Sequence, residues 1–127
     1  LVIGMMKNKG VAALVTDGMI RDQVGIEPWK LPLFHQGITP NSPAKNGPGA
    51  VGLPVTIGGV TVETGDMIVC DRDGVVVVPF ERIDEVAATL TKLVAAEGEV
   101  EAKVKAGMSE PGYIAEMMAS SQTRYVD

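Results

Sequence analysis

An arginine and an aspartate stand side by side at Arg21 and Asp22, shortly after a stretch that has the pattern of a buried strand. Residues 11–15 form a short continuous apolar run, and Asp17 followed by glycine ends it, as at the end of a core strand. In α/β sheets, functional side chains gather just beyond the carboxyl ends of such strands. A guanidinium can hold a carboxylate through two hydrogen bonds, and a carboxylate can bind a hard divalent cation. The pair therefore predicts a site where a cation and an anionic substrate meet.

The same three charged residues also have ordinary structural interpretations. Arg21 and Asp22 can form a surface ion pair at the start of a short helix. Asp17, the secondary candidate for the site, can instead close a turn by accepting hydrogen bonds from nearby backbone amides. The spacing is compatible with both interpretations, so both stay open at this point.

Other reactive residue types are better explained by structure. Asp71 and Asp73 are expected in a hairpin turn, because the further ligands of a calcium loop are absent. Residues 45–49 contain glycines but lack the lysine-serine/threonine pair of a phosphate-binding loop. His35 is expected to be a structural histidine whose hydrogen bonds are satisfied, and Cys70 an inert core thiol in an apolar strand.

The composition limits the class of protein. The 127 residues are 46% hydrophobic, which is enough for one core, so we expect a single domain over residues 1–127. With 16 acidic against 11 basic residues and no basic cluster, a nucleic-acid partner is not expected. One cysteine excludes an internal disulfide. No apolar run has membrane-spanning length and no signal peptide is recognisable, so a cytoplasmic protein that does not contact membranes is expected.

The first half of the chain predicts short elements. Residues 1–9 have the pattern of the last turns of a helix, with Gly10 as its stop. Residues 23–30, broken by glycine and proline, predict a short turn or helical loop. Residues 31–35 predict a short strand, and residues 36–49 predict a long loop that is either functional or packed against a neighbour.

The second half predicts hairpins and then helices. Gly58-Gly59 between two apolar segments is typical of a tight hairpin turn. The apolar segments 67–70 and 75–78 are expected to be buried on both faces in the middle of the sheet. Residues 80–118 form a helical segment of the same domain: apolar residues recur at steps of three and four, Gly98 interrupts the pattern, and Gly107 stops it. A last short helix follows over 111–118.

Six segments of the chain, in this order, resemble the RraA-like family, which includes the 4-hydroxy-4-methyl-2-oxoglutarate aldolases and the regulators of ribonuclease activity. They are Val-Thr-Asp-Gly-Met-Ile-Arg-Asp (15–22), Leu-Pro-Leu-Phe (31–34), Gly-Ile-Thr-Pro (37–40), Ile-Gly-Gly-Val-Thr-Val (57–62), Gly-Asp-Met-Ile-Val-Cys-Asp (65–71) and Asp-Gly-Val-Val-Val-Val-Pro (73–79). The Gly-Ile-Thr-Pro loop and the long C-terminal helical segment resemble the aldolase branch more closely.

The resemblance implies an α/β fold, the swivelling β/β/α domain, with a central sheet that carries hairpins and a long C-terminal helix. It implies a homotrimer or hexamer with sites between subunits. The implied activity is that of a class II, metal-dependent pyruvate aldolase, a carbon-carbon lyase that cleaves 4-hydroxy-4-methyl-2-oxoglutarate-like 2-oxo acids to pyruvate. Oxaloacetate decarboxylation is the implied side activity. The alternative is a non-catalytic trimeric regulator that binds a ribonuclease.

The resemblance also implies roles for individual residues. Asp22 would bind a divalent metal, Mg²⁺ or Mn²⁺, and Arg21 would contact the pyruvyl group of the substrate. The family's further acidic residue and its carboxylate-binding glycine loop would fall before Leu1. We therefore expect a chain truncated at its N-terminus, with the general base also supplied from outside the sequence.

Overall fold

The first helix, α1, spans Val2–Asn8 in the computed structural model, which describes residues 1–126. Gly10 has a φ of 79°, a left-handed conformation. The amide of Gly10 donates to the carbonyl of Lys7 at 3.0 Å, and the amide of Val11 donates to that of Met6 at 3.1 Å. These two bonds form the Schellman motif, in which a left-handed glycine ends a helix. The predicted helix end at Gly10 is confirmed.

The chain forms two compact units, Leu1–Ile83 and Asp84–Asp127. All the described strands lie in the first unit, where they form four two-stranded sheets. The second unit contains nearly all of the long C-terminal helix and a shorter helix. The chain thus has the α/β character that the sequence predicted, while its assignment to one domain over 1–127 stays a prediction.

Strand β1 (Leu14–Val15) pairs in parallel with strand β3 (Leu33–Phe34). Both strands have two residues, and the side chains of β1 are only partly buried. The prediction of a buried strand over residues 11–15 is therefore wrong in length and in burial. The reason lies partly at its start, where the amide of Val11 is used in the cap of α1.

Strand β2 (Met19–Ile20) pairs in parallel with strand β4 (Gly37–Ile38). The amide of Thr39 donates to the carbonyl of Ile20 at 2.8 Å, which extends the pairing by one residue. The predicted loop over 36–49 therefore begins with a strand. Because the two strands are parallel, both carboxyl ends lie at the same edge. The chain leaves that edge twice, once after Ile20 and once after Thr39.

The helical loop predicted for residues 23–30 is confirmed. Helix α2 (Gln23–Ile26) is followed by a 3₁₀ turn over Glu27–Trp29. The indole of Trp29 lies so close to Gly4 that a Cβ added there would fall 2.7 Å from its Cε2 atom. This contact packs the 3₁₀ turn against α1.

The first hairpin consists of β5 (Val55–Ile57) and β6 (Val60–Val62), which pair in antiparallel fashion. Gly58 and Gly59 connect them with φ angles of 57° and 83°. Positive φ at both central positions defines the type I′ turn that matches the twist of the strands. The predicted hairpin and its turn residues are confirmed.

The second hairpin, β7 (Met67–Cys70) with β8 (Val75–Val78), has the predicted strands but not the predicted burial. Val76 is 61% exposed, and Val78 is the one buried residue of the two strands. In the described chain these strands form a two-stranded sheet of their own. The prediction that they lie in the middle of a sheet, buried on both faces, is therefore wrong, because no other strand of residues 1–126 continues the sheet.

The long helix α3 (Ile83–Lys105) follows a 3₁₀ turn over Phe80–Arg82. It passes through Gly98 without a break, although glycine in a helix costs about 1 kcal/mol relative to alanine. The predicted helical segment thus continues on both sides of Gly98, where only the apolar pattern is interrupted. The stop at Gly107 is confirmed by a φ of 102°. Helix α4 (Gly112–Ala119) follows. No helix in residues 1–126 is long and apolar enough to cross a bilayer.

Candidate functional site

Arg21 and Asp22 directly follow β2, at the edge where the parallel strands β2 and β4 both end. Both side chains are exposed. No ion pair joins them within residues 1–126, so the surface ion pair that the sequence left open does not form. Both charges are therefore available to groups from solution.

The guanidinium of Arg21 is held by a serine that no sequence motif indicated. Arg21 Nη1 donates a hydrogen bond to Oγ of Ser42, which lies in the loop that follows β4. The two residues are 21 positions apart in the chain. The parallel pairing of β2 with β4 brings them together. The sequence does not indicate this pairing, because β4 has only two residues and one of them is glycine.

Asp22 has an unusual backbone conformation, and its carboxylate has no hydrogen-bond or ion-pair partner within residues 1–126. Its φ of 60° and ψ of 49° are left-handed, a conformation that costs most non-glycine residues about 1–2 kcal/mol. Asp22 is the N-cap residue of α2, yet its side chain makes no capping hydrogen bond. Strained backbone of this kind concentrates at binding and catalytic sites. The structural interpretation of Asp22 is confirmed in part, because this residue does stand at the start of a short helix.

Gly25 makes room for the Asp22 carboxylate. A Cβ added to Gly25 would lie 2.7 Å from Cγ of Asp22, closer than real Cβ contacts allow. The carboxylate therefore lies against the backbone of α2 at a position without a side chain. Any larger residue at 25 would displace it.

Asp17, the secondary candidate, is used by the fold. Its Oδ2 accepts a hydrogen bond from the amide of Gly58 at 3.3 Å. The carboxylate thus binds a backbone amide, as the turn interpretation proposed, but the amide belongs to the hairpin turn 41 residues away. Asp17 also lines an open cavity of about 950 Å³, which Arg21 and Asp22 do not line. Within residues 1–126, no hydrogen bond or ion pair joins Asp17 to Arg21 or Asp22.

The remaining candidates follow the sequence predictions only in part. Asp71 Oδ1 accepts hydrogen bonds from the amides of Asp73 at 2.8 Å and Gly74 at 3.3 Å, which confirms the hairpin-turn role. His35 lines the cavity, and its buried Nδ1 has no hydrogen-bond partner in the described chain, so the prediction of a satisfied structural histidine is wrong for this nitrogen. Cys70 is a free, half-buried thiol.

These residues fit a divalent cation only if the protein supplies few of its ligands. Residues 1–126 contain no cluster of three or more histidine, cysteine, aspartate or glutamate side chains that could hold a metal. Mg²⁺, however, is often bound through one or two carboxylates and keeps several water ligands. The exposed, unpartnered carboxylate of Asp22 is suited to that kind of binding.

Comparison with known proteins gives related sequences and a related structure. The chain is 42% identical over 78 residues to a putative 4-hydroxy-4-methyl-2-oxoglutarate aldolase of Halalkalibacterium halodurans, a match that covers 61% of this chain and 37% of that protein. It is 34% identical over 71 residues to a 4-hydroxy-4-methyl-2-oxoglutarate aldolase of Thermus thermophilus, covering 56% and 43%. A crystal structure of an uncharacterized protein from Pseudomonas syringae pv. tomato superposes with a TM-score of 0.75 and 31% identity, covering 85% of this chain and 55% of that one.

These similarities concern part of each relative, since the chain spans less than half the length of the two curated relatives it matches. The sequence profile of the RraA-like family, described as Aldolase/RraA, matches residues 1–77. That range contains Arg21, Asp22 and Ser42, together with all the described strands but the last residue of β8. The chain therefore belongs to the RraA-like family, as its motifs predicted.

Proposed function

We propose that this protein is a divalent-metal-dependent aldolase that cleaves 2-oxo acids resembling 4-hydroxy-4-methyl-2-oxoglutarate to pyruvate. The observation that carries the proposal is the pair Arg21 and Asp22 at the common edge of β2 and β4. Its guanidinium is free of any carboxylate partner, and its carboxylate is free of any hydrogen bond within the described chain. The names of the related proteins support the same class of reaction.

In this proposal Arg21 binds and orients the substrate. A guanidinium presents two parallel N–H groups to the oxygens of a 2-oxo carboxylate. For a 4-hydroxy substrate, a general base takes the hydroxyl proton as the carbon-carbon bond breaks, and the hydroxyl-bearing carbon becomes the carbonyl of the second product. The electron pair of the broken bond forms the enolate double bond and moves the π electrons of the oxo group onto its oxygen, which carries negative charge until the pyruvate enolate is protonated to pyruvate. The positive charge of Arg21 stabilises that negative charge more strongly than it stabilises the ground state, which lowers the barrier.

Asp22 is the residue that would hold the cation, Mg²⁺ or Mn²⁺, through its carboxylate oxygens. When bound, such a cation supplies Lewis-acid polarisation of carbonyl and carboxylate oxygens. The left-handed backbone at Asp22 and the open space at Gly25 fix where the carboxylate is presented. Oxaloacetate decarboxylation is the side reaction to expect, since loss of carbon dioxide leaves the same pyruvate enolate.

An assembly of several subunits is part of the proposal. Large apolar side chains of unit Leu1–Ile83 are exposed on both hairpins, which is unusual for a surface in contact with water. They include Val55, Val60, Met67, Val69 and Val76. Burial of these side chains between copies would support the homotrimer or hexamer, with sites between subunits, that the family resemblance implies.

The test of the proposal is pyruvate release in a coupled lactate dehydrogenase assay. We expect 4-hydroxy-4-methyl-2-oxoglutarate and oxaloacetate to yield pyruvate, with activity lost on addition of a chelator and restored by Mg²⁺ or Mn²⁺. Activity that a chelator leaves unchanged would contradict the metal requirement. If no 2-oxo acid tried yields pyruvate, the proposal of an enzyme is refuted. The alternative is then the non-catalytic regulator, which is tested by measuring binding to a ribonuclease.

Gly25→Ala is expected to weaken the site without weakening the fold. The new methyl group would displace the Asp22 carboxylate, while alanine in the helix would be favourable by up to about 1 kcal/mol. We expect a loss in activity of about tenfold or more and a higher Mg²⁺ concentration for half-maximal rate, with an unchanged or higher Tm. The matched control is Gly98→Ala in α3, where a Cβ meets nothing within 4 Å. Equal activities of the two variants would contradict the role given to Gly25.

A further inference from the structure

We propose that Ser42 is a positioning residue for Arg21, which it holds at the site through its hydroxyl oxygen. The inference rests on the proposed function and deepens it, because it names a residue that controls the orientation of the substrate-binding guanidinium. Its basis is the hydrogen bond from Arg21 Nη1 to Ser42 Oγ.

The backbone brings these two side chains together from both strands. Ile20 and Ile38 are register partners in the parallel pair β2 and β4, and Thr39 continues the pairing by donating to the carbonyl of Ile20. Arg21 is the first residue beyond this pairing on one strand. Ser42 is the third residue beyond Thr39 on the other. The start of the loop is further tied by the amide of Asn41, which donates to Thr39 Oγ1 at 3.3 Å.

A serine suits this role because it is a neutral acceptor. An exposed arginine side chain has many rotamers, and holding one of them reduces the entropy lost when a ligand binds. A carboxylate at position 42 would hold the guanidinium too, but it would compensate the positive charge that an anionic substrate needs. The hydroxyl of Ser42 orients Arg21 and leaves its charge available.

A role in folding does not account for Ser42. The residue is exposed, and its side chain makes no other hydrogen bond within residues 1–126. Removing the hydroxyl should therefore leave Tm unchanged, because exposed substitutions of this kind have little effect on stability. Any effect on catalysis would then report on Arg21.

The experiment compares three substitutions at position 42 in the full-length protein. Ser42→Ala is expected to lower kcat/KM about tenfold, the effect of losing one hydrogen bond to a charged group. Ser42→Thr keeps the hydroxyl and should restore most of the activity. Ser42→Asp is expected to lower kcat/KM more than alanine does, since it pairs with the guanidinium. Asn46→Ala, at an exposed position of the same loop, is the control that should match the wild type.

A double-mutant cycle separates positioning from a general effect of the loop. In an Arg21→Lys background, Ser42→Ala should change kcat/KM by less than about twofold, because the bond it removes is already altered. Equal losses in both backgrounds would overturn the proposal, and so would wild-type activity in Ser42→Ala.

Binding of pyruvate, measured by calorimetry in the presence of Mg²⁺, distinguishes failure of this inference from failure of the proposed function. If the protein releases no pyruvate from any 2-oxo acid, that result refutes the proposed function but not the role of Ser42. Ser42→Ala should still bind pyruvate about tenfold more weakly than the wild type, since Arg21 loses its orientation. Identical pyruvate affinities of the two proteins would refute the inference, whatever the activity.

Discussion

Asp22→Asn is expected to lower kcat/KM for pyruvate release by about 10³-fold or more, since a Lewis-acid cation contributes several kcal/mol to such a step. The substitution removes the negative charge and keeps the size of the side chain. Asparagine also tolerates the left-handed backbone conformation of residue 22, whereas alanine would add about 1–2 kcal/mol of strain. Asn is therefore the variant that tests the ligand rather than the backbone.

The measurement for Asp22 is the rate of pyruvate release across a range of Mg²⁺ concentrations, together with Mn²⁺ binding followed by electron paramagnetic resonance. We expect Asp22→Asn to lose both the rate and the tight Mn²⁺ signal. Asp73→Asn is the matched control, an exposed aspartate in the β7–β8 turn. If Asp22→Asn releases pyruvate at the wild-type rate and binds Mn²⁺ normally, Asp22 is not the metal ligand.

Arg21→Ala is expected to lower kcat/KM by about 10²- to 10³-fold, the cost of removing one preorganised group that stabilises developing negative charge. The kcat/KM of Arg21→Lys should lie between those of the wild type and Arg21→Ala, because lysine keeps the charge but loses the two-pronged geometry. Neither variant is expected to change the assembly or Tm, since the side chain is exposed and bonds to a single loop residue.

The assay for Arg21 is steady-state kinetics with 4-hydroxy-4-methyl-2-oxoglutarate and with oxaloacetate. Both substrates should lose rate in parallel, because both pass through the same enolate. Arg72→Ala is the control, an exposed arginine of the same unit that lines the cavity and not the edge of β2 and β4. Normal turnover of Arg21→Ala with either substrate would withdraw the assignment of this residue to catalysis.

The sequence predicted the features that depend on neighbouring residues. Gly10 and Gly107 end their helices because the bonds of a Schellman motif span a few residues around a left-handed glycine. Gly58-Gly59 forms its turn for a similar local reason, and Asp71 caps the next turn through amides two and three residues away. The family and the candidate pair also follow from motifs that lie within short stretches of the chain.

Burial and side-chain partnership were decided by the tertiary structure. The valines of β8 predicted a fully buried strand, but burial depends on what covers a sheet, and in the described chain β7 and β8 pair only with each other. Asp17 contacts a hairpin amide far along the chain, which no local pattern indicated.

The candidate site shows the same division. The sequence by itself determined that an arginine and an aspartate follow one strand, because their adjacency is covalent. Only the tertiary structure decided that they do not pair with each other, that Asp22 takes a left-handed conformation beside Gly25, and that Ser42 holds the arginine. The bond between Arg21 and Ser42 depends on how the backbone turns at the edge of β2 and β4. That geometry is set by hydrogen bonds between strands that lie far apart in sequence.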